Sequence, residues 1–140
     1  MPELSSQEIF NQIHGLHRQL TSTFERCAGI SASRLQLLCQ LYQSDEISQS
    51  SLQKLVGIDH AAITRHVKQL EAENMVIRRI SPEDNRFTLV QLTEHGREKI
   101  IAFREERETF LNRMLDGFSS SDQDQLSDML MRINQNISQL

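Results

Sequence analysis

An acid and an arginine stand two residues apart, Asp84-Asn85-Arg86, in a turn between two β-prone runs, Met75–Ile80 and Arg86–Leu92. An arginine on a hairpin tip can reach the backbone or minor groove of a duplex. Upstream, the segment from Asp59 to Asn74 has helical periodicity. Ile63, Val67 and Leu70 fall on one face, and His60, Ala61, Thr64, Arg65 and Lys68 fall on the other. Small residues at the start of such a helix allow close approach to DNA. Thr64 can bond a phosphate, Arg65 can pair bidentately with guanine, and the helix N-terminus itself favours phosphate. His60 touches a phosphate or base, or simply caps the helix. A polar face alone is what any surface helix shows.

Other reactive side chains support weaker chemistry. His14 and His17 lie three residues apart on the first helical stretch and, with Cys27, would make an incomplete metal set. Two histidines on a solvated or partner-facing helix is the plainer reading, and no metal is expected. Cys27 and Cys39 form no paired motif, so a disulfide framework is not expected and a reducing compartment is. Redox sensing needs a lowered thiol pKa and access. Arg26 beside Cys27 favours that only slightly; Cys27 is the candidate sensor, inert burial is the default for Cys39, and a structural role is the plainer reading for both. There is no glycine-rich phosphate loop and no nucleophile motif, so neither an enzyme nor a cofactor is expected.

These residues need elements to place them. Ser5 and Glu8 form a capping signature, after which Ile9, Ile13, Leu16, Leu20 and Phe24 recur at helical spacing. Ser31 or Ser33 caps a second helix whose leucines, Leu35, Leu37, Leu38 and Leu41, run nearly all round with Tyr42, the pattern of a central core helix. Ser44–Ser48 reads as a break. Ser48 then caps a short helix with Leu52, Leu55 and Val56 facing inward, ended by Gly57, and Asp59 caps the next. Asn74 suits a left-handed position after that helix. The two strands follow, with Pro82 in the turn. Thr93 caps a long helix through about Gly117, and a final helix carries Leu126, Leu130, Ile133, Ile137 and Leu140 in a narrow seam for another helix. Helix, glycine turn, helix, basic hairpin is a winged helix-turn-helix, far more specific than any of its parts.

The chain has 140 residues and a formal charge of −4, which taken whole argues weakly against a nucleic-acid partner. The distribution says otherwise. Residues 54–104 carry nine Lys/Arg against seven Asp/Glu, a balance of +2, leaving −6 for the rest. A basic middle between acidic ends suits a protein that touches DNA with one part only. No N-terminal run resembles a signal peptide and no stretch is long enough to span a bilayer, so a cytoplasmic protein with no membrane partner is expected.

The stretch from Leu52 to Lys99 resembles the MarR family of bacterial transcription regulators. The sharpest part is Asp84-x-Arg86 followed by Leu92-Thr93-x-x-Gly96-Arg97. The resemblance implies a mainly α fold with a small β-hairpin wing and a helical dimerisation region. It implies a homodimer in which the first, fifth and sixth helices pack together. It implies that Arg86 enters the minor groove, that Asp84 holds the wing arginines in place, and that genes are repressed until a small molecule or oxidant intervenes. One departure is Asn74, where the family usually has glycine. The expected organisation is a single domain, 1–140. Residues 1–34 are the N-terminal dimerisation helix, 35–93 the DNA-binding lobe, and 94–140 a linker helix with a C-terminal dimerisation helix. The expected partner is double-stranded DNA with a near-palindromic operator, read by a helix over 59–73 and a wing over 81–86. A small effector would lodge near His14, His17, Leu38 and Phe103. The alternative is a winged-helix protein-interaction module with no DNA role.

Overall fold

Ser5 starts the first helix in the expected way. Its hydroxyl accepts from the Glu8 N–H at 3.2 Å while the Glu8 carboxylate accepts from the Ser5 N–H at 2.7 Å, closing a capping box. The computed structural model describes residues 5–140. In chain order it contains α1 (Ser6–Ala28), α2 (Ala32–Gln43), β1 (Ile47–Ser48), α3 (Gln49–Val56), α4 (His60–Ala72), β2 (Val76–Ile80), β3 (Thr88–Leu92), α5 (Glu94–Met114) and α6 (Ser120–Ser138). Contacts divide the chain into two units, and the division falls between Arg107 and Glu108, inside α5.

The first unit is built around α2. Leu35, Leu37, Leu38 and Leu41 are buried, as the all-round leucine pattern requires, and Ser31 is the residue that caps the helix. Phe24 and Ala28 of α1, Ile30, Leu52, Ile63, Val67, Leu70, Val76, Val90, Leu92 and Ile100 pack with them, so all the helices of this unit and both hairpin strands contribute to one apolar core. Tyr42 departs from that face. It is half open to solvent, with the guanidiniums of Arg104 and Arg97 at 4.8 and 5.8 Å from its ring.

The sheet has three strands in the order β1-β3-β2, all antiparallel. The segment read as a break contributes β1, where Ile47 pairs with Val90 and Ser48 with Leu89. Two residues are too few for alternation to reveal a strand. Two further expectations are corrected. Leu55 faces out at 56 % exposure, because the eight-residue α3 buries only a narrow face centred on Leu52. The long helix stops at Met114 rather than near Gly117, which is already left-handed at φ 85°.

The joint between α4 and the hairpin is tight. Asn74 takes φ 61°, the left-handed position foreseen for it. The Met75 N–H then donates to the Leu70 carbonyl at 2.9 Å, and the Thr93 N–H to the Met75 carbonyl at 3.0 Å. Thr93 also caps α5, accepting from the Gly96 N–H at 3.0 Å. A Cβ on Gly96 would collide with the Met75 carbonyl oxygen, so glycine is required there by close approach.

In the second unit, α6 opens with its own capping box, Ser119 with Asp122. It and the end of α5 border an apolar recess of about 510 Å³ lined by Met114, Leu115, Leu126, Leu130 and Met131.

Candidate nucleic-acid interface

Three features place the outward face of α4. Gly57 makes the turn at φ 70°, with its N–H donating to the Gln53 carbonyl at 2.9 Å. Asp59 then caps α4, its carboxylate accepting from the Ala62 N–H at 2.7 Å. Ile63, Val67 and Leu70 are all but sealed from solvent and fix the helix's rotation. His60, Ala61, Arg65 and Lys68 are therefore exposed on the opposite face, and no ion pair joins Arg65 or Lys68 to another described residue.

Thr64 is different. It is half-buried, donates its hydroxyl hydrogen to the His60 carbonyl at 2.9 Å and accepts from the Gln49 amide at 3.3 Å. A hydroxyl has one hydrogen. In this arrangement Thr64 has none to offer a phosphate unless it leaves the His60 carbonyl. The Gln49 amide oxygen is buried without a partner among the described residues.

The wing turn is ordered by Ser81 and Asp84. The Ser81 N–H donates to the Phe87 carbonyl at 2.9 Å, and its hydroxyl accepts from the N–H groups of Glu83 and Asp84 at 3.3 and 3.4 Å. The Asp84 carboxylate accepts from the Arg86 backbone N–H at 3.0 Å, from Nε at 3.1 Å and from Nη2 at 2.8 Å. Those bonds hold the Asp84 carboxyl below its ordinary range and raise Arg86 further. The Arg86 side chain is nonetheless 86 % exposed, so it is aimed rather than buried. A cleft of about 130 Å³ joins the wing to the helices. Gln49, Ser50 and Gln53 of α3, His60 of α4, and Arg86 and Phe87 all line it. Sequence reading had not singled out the α3 residues or Phe87.

The expectation that Asp84 holds the wing arginines together is corrected, because its carboxylate bonds Arg86 while Arg78 and Arg79 find other acids. Arg78 forms a two-point bond with Glu71 of α4, Nε at 3.1 Å and Nη2 at 2.9 Å. Arg79 does the same with Glu46, at 2.8 and 2.7 Å. Both carboxyls are lowered by the guanidinium they face.

The remaining candidates lie elsewhere. His14 and His17 are exposed on α1, where the His14 ring meets that of Phe10 at 4.8 Å. Leu38 has no accessible surface and meets a solute only if its surroundings open, while Phe103 is half-buried. Cys27 is exposed, Cys39 half-buried, and both are free thiols. Among the described residues no group of three His, Cys, Asp or Glu is placed to hold a metal ion. No described helix is long and apolar enough to cross a membrane.

A protein-family model described as the MarR family matches residues 30–88. The chain is 51% identical over 133 residues to the uncharacterized HTH-type transcriptional regulator YdgJ of Bacillus subtilis (strain 168), covering 95% of this chain and 81% of that protein. The chain belongs to the MarR family. It is a transcriptional regulator of the helix-turn-helix type. The MarR match runs from the residue before Ser31 through α4 and the turn that carries Asp84 and Arg86. Solved MarR structures share the fold. A cysteine-to-serine mutant of MarR from E. coli, complexed with operator DNA, superposes with a TM-score of 0.77 at 20% identity, covering 89% of this chain and 92% of that one. BpsR of Bordetella bronchiseptica, whose DNA binding is regulated by 6-hydroxynicotinic acid, gives 0.76 at 18% identity, covering 91% and 98%.

Proposed function

We propose that this MarR-family regulator binds duplex DNA as a homodimer and represses transcription until an effector weakens the complex. The observation that carries the DNA reading is the shared cleft. It puts His60, at the start of α4, and Arg86, at the wing, on one side of the lobe, where a helix in the major groove and a hairpin at the minor groove would both be needed. Arg65 and Lys68 supply cations beside it, and Ala61 permits close approach. Asp84 orients Arg86 through its two-point bond. The operator-bound neighbour supports the same use of the fold.

The dimer reading rests on exposed apolar surface in each unit. On α1, Phe10 and Leu16 are 57 % and 63 % exposed, and on α6 Leu130 and Ile137 are 53 % and 61 % exposed. Stripes of that kind call for a covering helix. In this reading residues 1–34 and 94–140 join two copies and 35–93 form the DNA-binding lobe. The two α4 helices then address half-sites about one helical turn, roughly 34 Å, apart on a near-palindromic operator. A small effector lodging near His14, His17, Leu38 and Phe103 acts by favouring a lobe spacing that misfits the operator, a population shift that needs only differential affinity. Cys27, exposed near the end of α1, is the site at which an oxidant would act instead.

The test is fluorescence anisotropy with duplex fragments from the gene's own upstream region over a salt series. Specific binding with a steep salt slope, weakened in both Arg86→Ala and Arg65→Ala, is expected. No binding to any duplex at low salt would remove the DNA role and leave a winged helix that recognises protein.

A further inference from the structure

Arg78 and Arg79 are consecutive residues of β2, so their side chains leave opposite faces of the sheet. Each finds a carboxylate, and the two carboxylates belong to different parts of the lobe. Glu71 lies in the last turn of α4, the helix that carries Arg65 and Lys68. Glu46 immediately precedes β1, the far edge strand of the sheet, so Arg79 reaches past β3 to meet it. Both bonds use Nε and Nη2 against both carboxylate oxygens, and that fork geometry restricts direction as well as distance. The hairpin's chain connection to α4 is only the short turn through Asn74. The base of the hairpin is anchored by Val76 and Val90 in the core, so the two guanidiniums bear on its outer part, from Arg78 to the tip that carries Arg86.

We infer that Glu71–Arg78 and Glu46–Arg79 are positioning pairs that set the angle between the major-groove helix and the minor-groove wing, and so determine operator specificity without touching DNA. The inference rests on the DNA-binding reading above. It follows from a geometric requirement. Arg86 and the α4 face must reach two grooves of one duplex at once, and a tilt of the hairpin moves only Arg86. Random duplex, held through phosphates, makes no such demand on register.

The charge arithmetic separates this from a simple electrostatic effect. Glu71→Gln and Glu46→Gln each remove a negative charge beside the proposed interface and release an arginine. Electrostatics alone would tighten binding to every duplex. Loss of positioning weakens operator binding while random-duplex binding stays level or improves. Anisotropy on the full chain, with operator and random duplex side by side, is expected to show at least a five-fold loss of the operator-to-random ratio for either variant. The exchanged pair, Glu71→Arg with Arg78→Glu, should recover part of that ratio, which a merely lost charge would not. Thermal unfolding of each variant confirms that a folded protein was measured, and Arg78→Lys, which keeps the charge but loses the fork, serves as second probe should Glu71→Gln unfold. An unchanged or raised operator-to-random ratio in Glu71→Gln and Glu46→Gln overturns the inference while wild type still prefers its operator. If wild type shows no preference for any upstream fragment, the operator-specific part of that reading fails and the positioning pairs fall with it.

Discussion

The recognition helix and the wing are held by different forces. α4 is seated by packing: Ile63, Val67 and Leu70 are sealed in the core and Asp59 caps its start. The wing is anchored at its base by Val76 and Val90 in the core, and beyond that base it is held by charge. Each of its three arginines, Arg78, Arg79 and Arg86, is matched to a carboxylate at 2.7–2.9 Å, and the side chains are partly or largely in water. Packing is not screened by salt, whereas exposed ion pairs are screened and individually weak. A fixed helix beside an adjustable hairpin suits a protein that must keep one contact while tuning another.

The comparison breaks most severely in the core. Ile63→Ala should cost about 2–5 kcal/mol of stability, since a sealed side chain leaves a cavity behind. Urea unfolding will show it, and Arg86→Ala in the same assay should leave the midpoint nearly unchanged, as an exposed arginine does. Gly96→Ala attacks the joint between the two regions. Its new methyl meets the Met75 carbonyl, so about 1–3 kcal/mol should be lost by overpacking. Asp59→Ala removes a cap and should cost about 1 kcal/mol, with Asp59→Asn retaining most of it.

How much of this was legible in the sequence depended on how local the cause was. The helices could be read because apolar periodicity and caps such as Ser5, Ser31 and Asp59 lie within one turn of what they control. Asp84 as a holder of wing arginines came from the family resemblance, and of the three it bonds only Arg86, two residues away. Glu46–Arg79 could not be read, because its partners are 33 residues apart and meet only through the sheet. The engagement of Thr64 was hidden for the same reason, since Gln49 lies fifteen residues upstream. β1 was missed because two residues show no pattern, and Leu55 was placed inward because a short helix gives little evidence of phase.

Acid distinguishes the regions more gently. His66 in α4 sits below its ordinary value of 6.5 because burial, then Arg65 and Arg34, disfavour its charge. Stability from this group is complete above 6.5 and is lost as pH falls below it, when the unfolded chain takes up a proton first. The wing carboxylates are depressed instead. Their contribution is complete above the ordinary values of 4.5 for Glu46 and Glu71 and 3.8 for Asp84, and is lost as pH falls further. Melting curves should therefore show a small loss as pH falls below 6.5 that His66→Gln flattens, and a separate loss as pH falls below 4.5 that Glu71→Gln reduces.

The most direct measurement is a hydroxyl-radical footprint of the wild type and of Arg86→Ala on the same operator. Wild type should protect two half-sites about one turn apart, each with a flanking minor-groove segment. Arg86→Ala should lose the flanking protection and keep the rest, because α4 is held independently of the wing. Loss of the whole footprint, or no change in it, would contradict a division of labour between a packed helix and a charge-held wing.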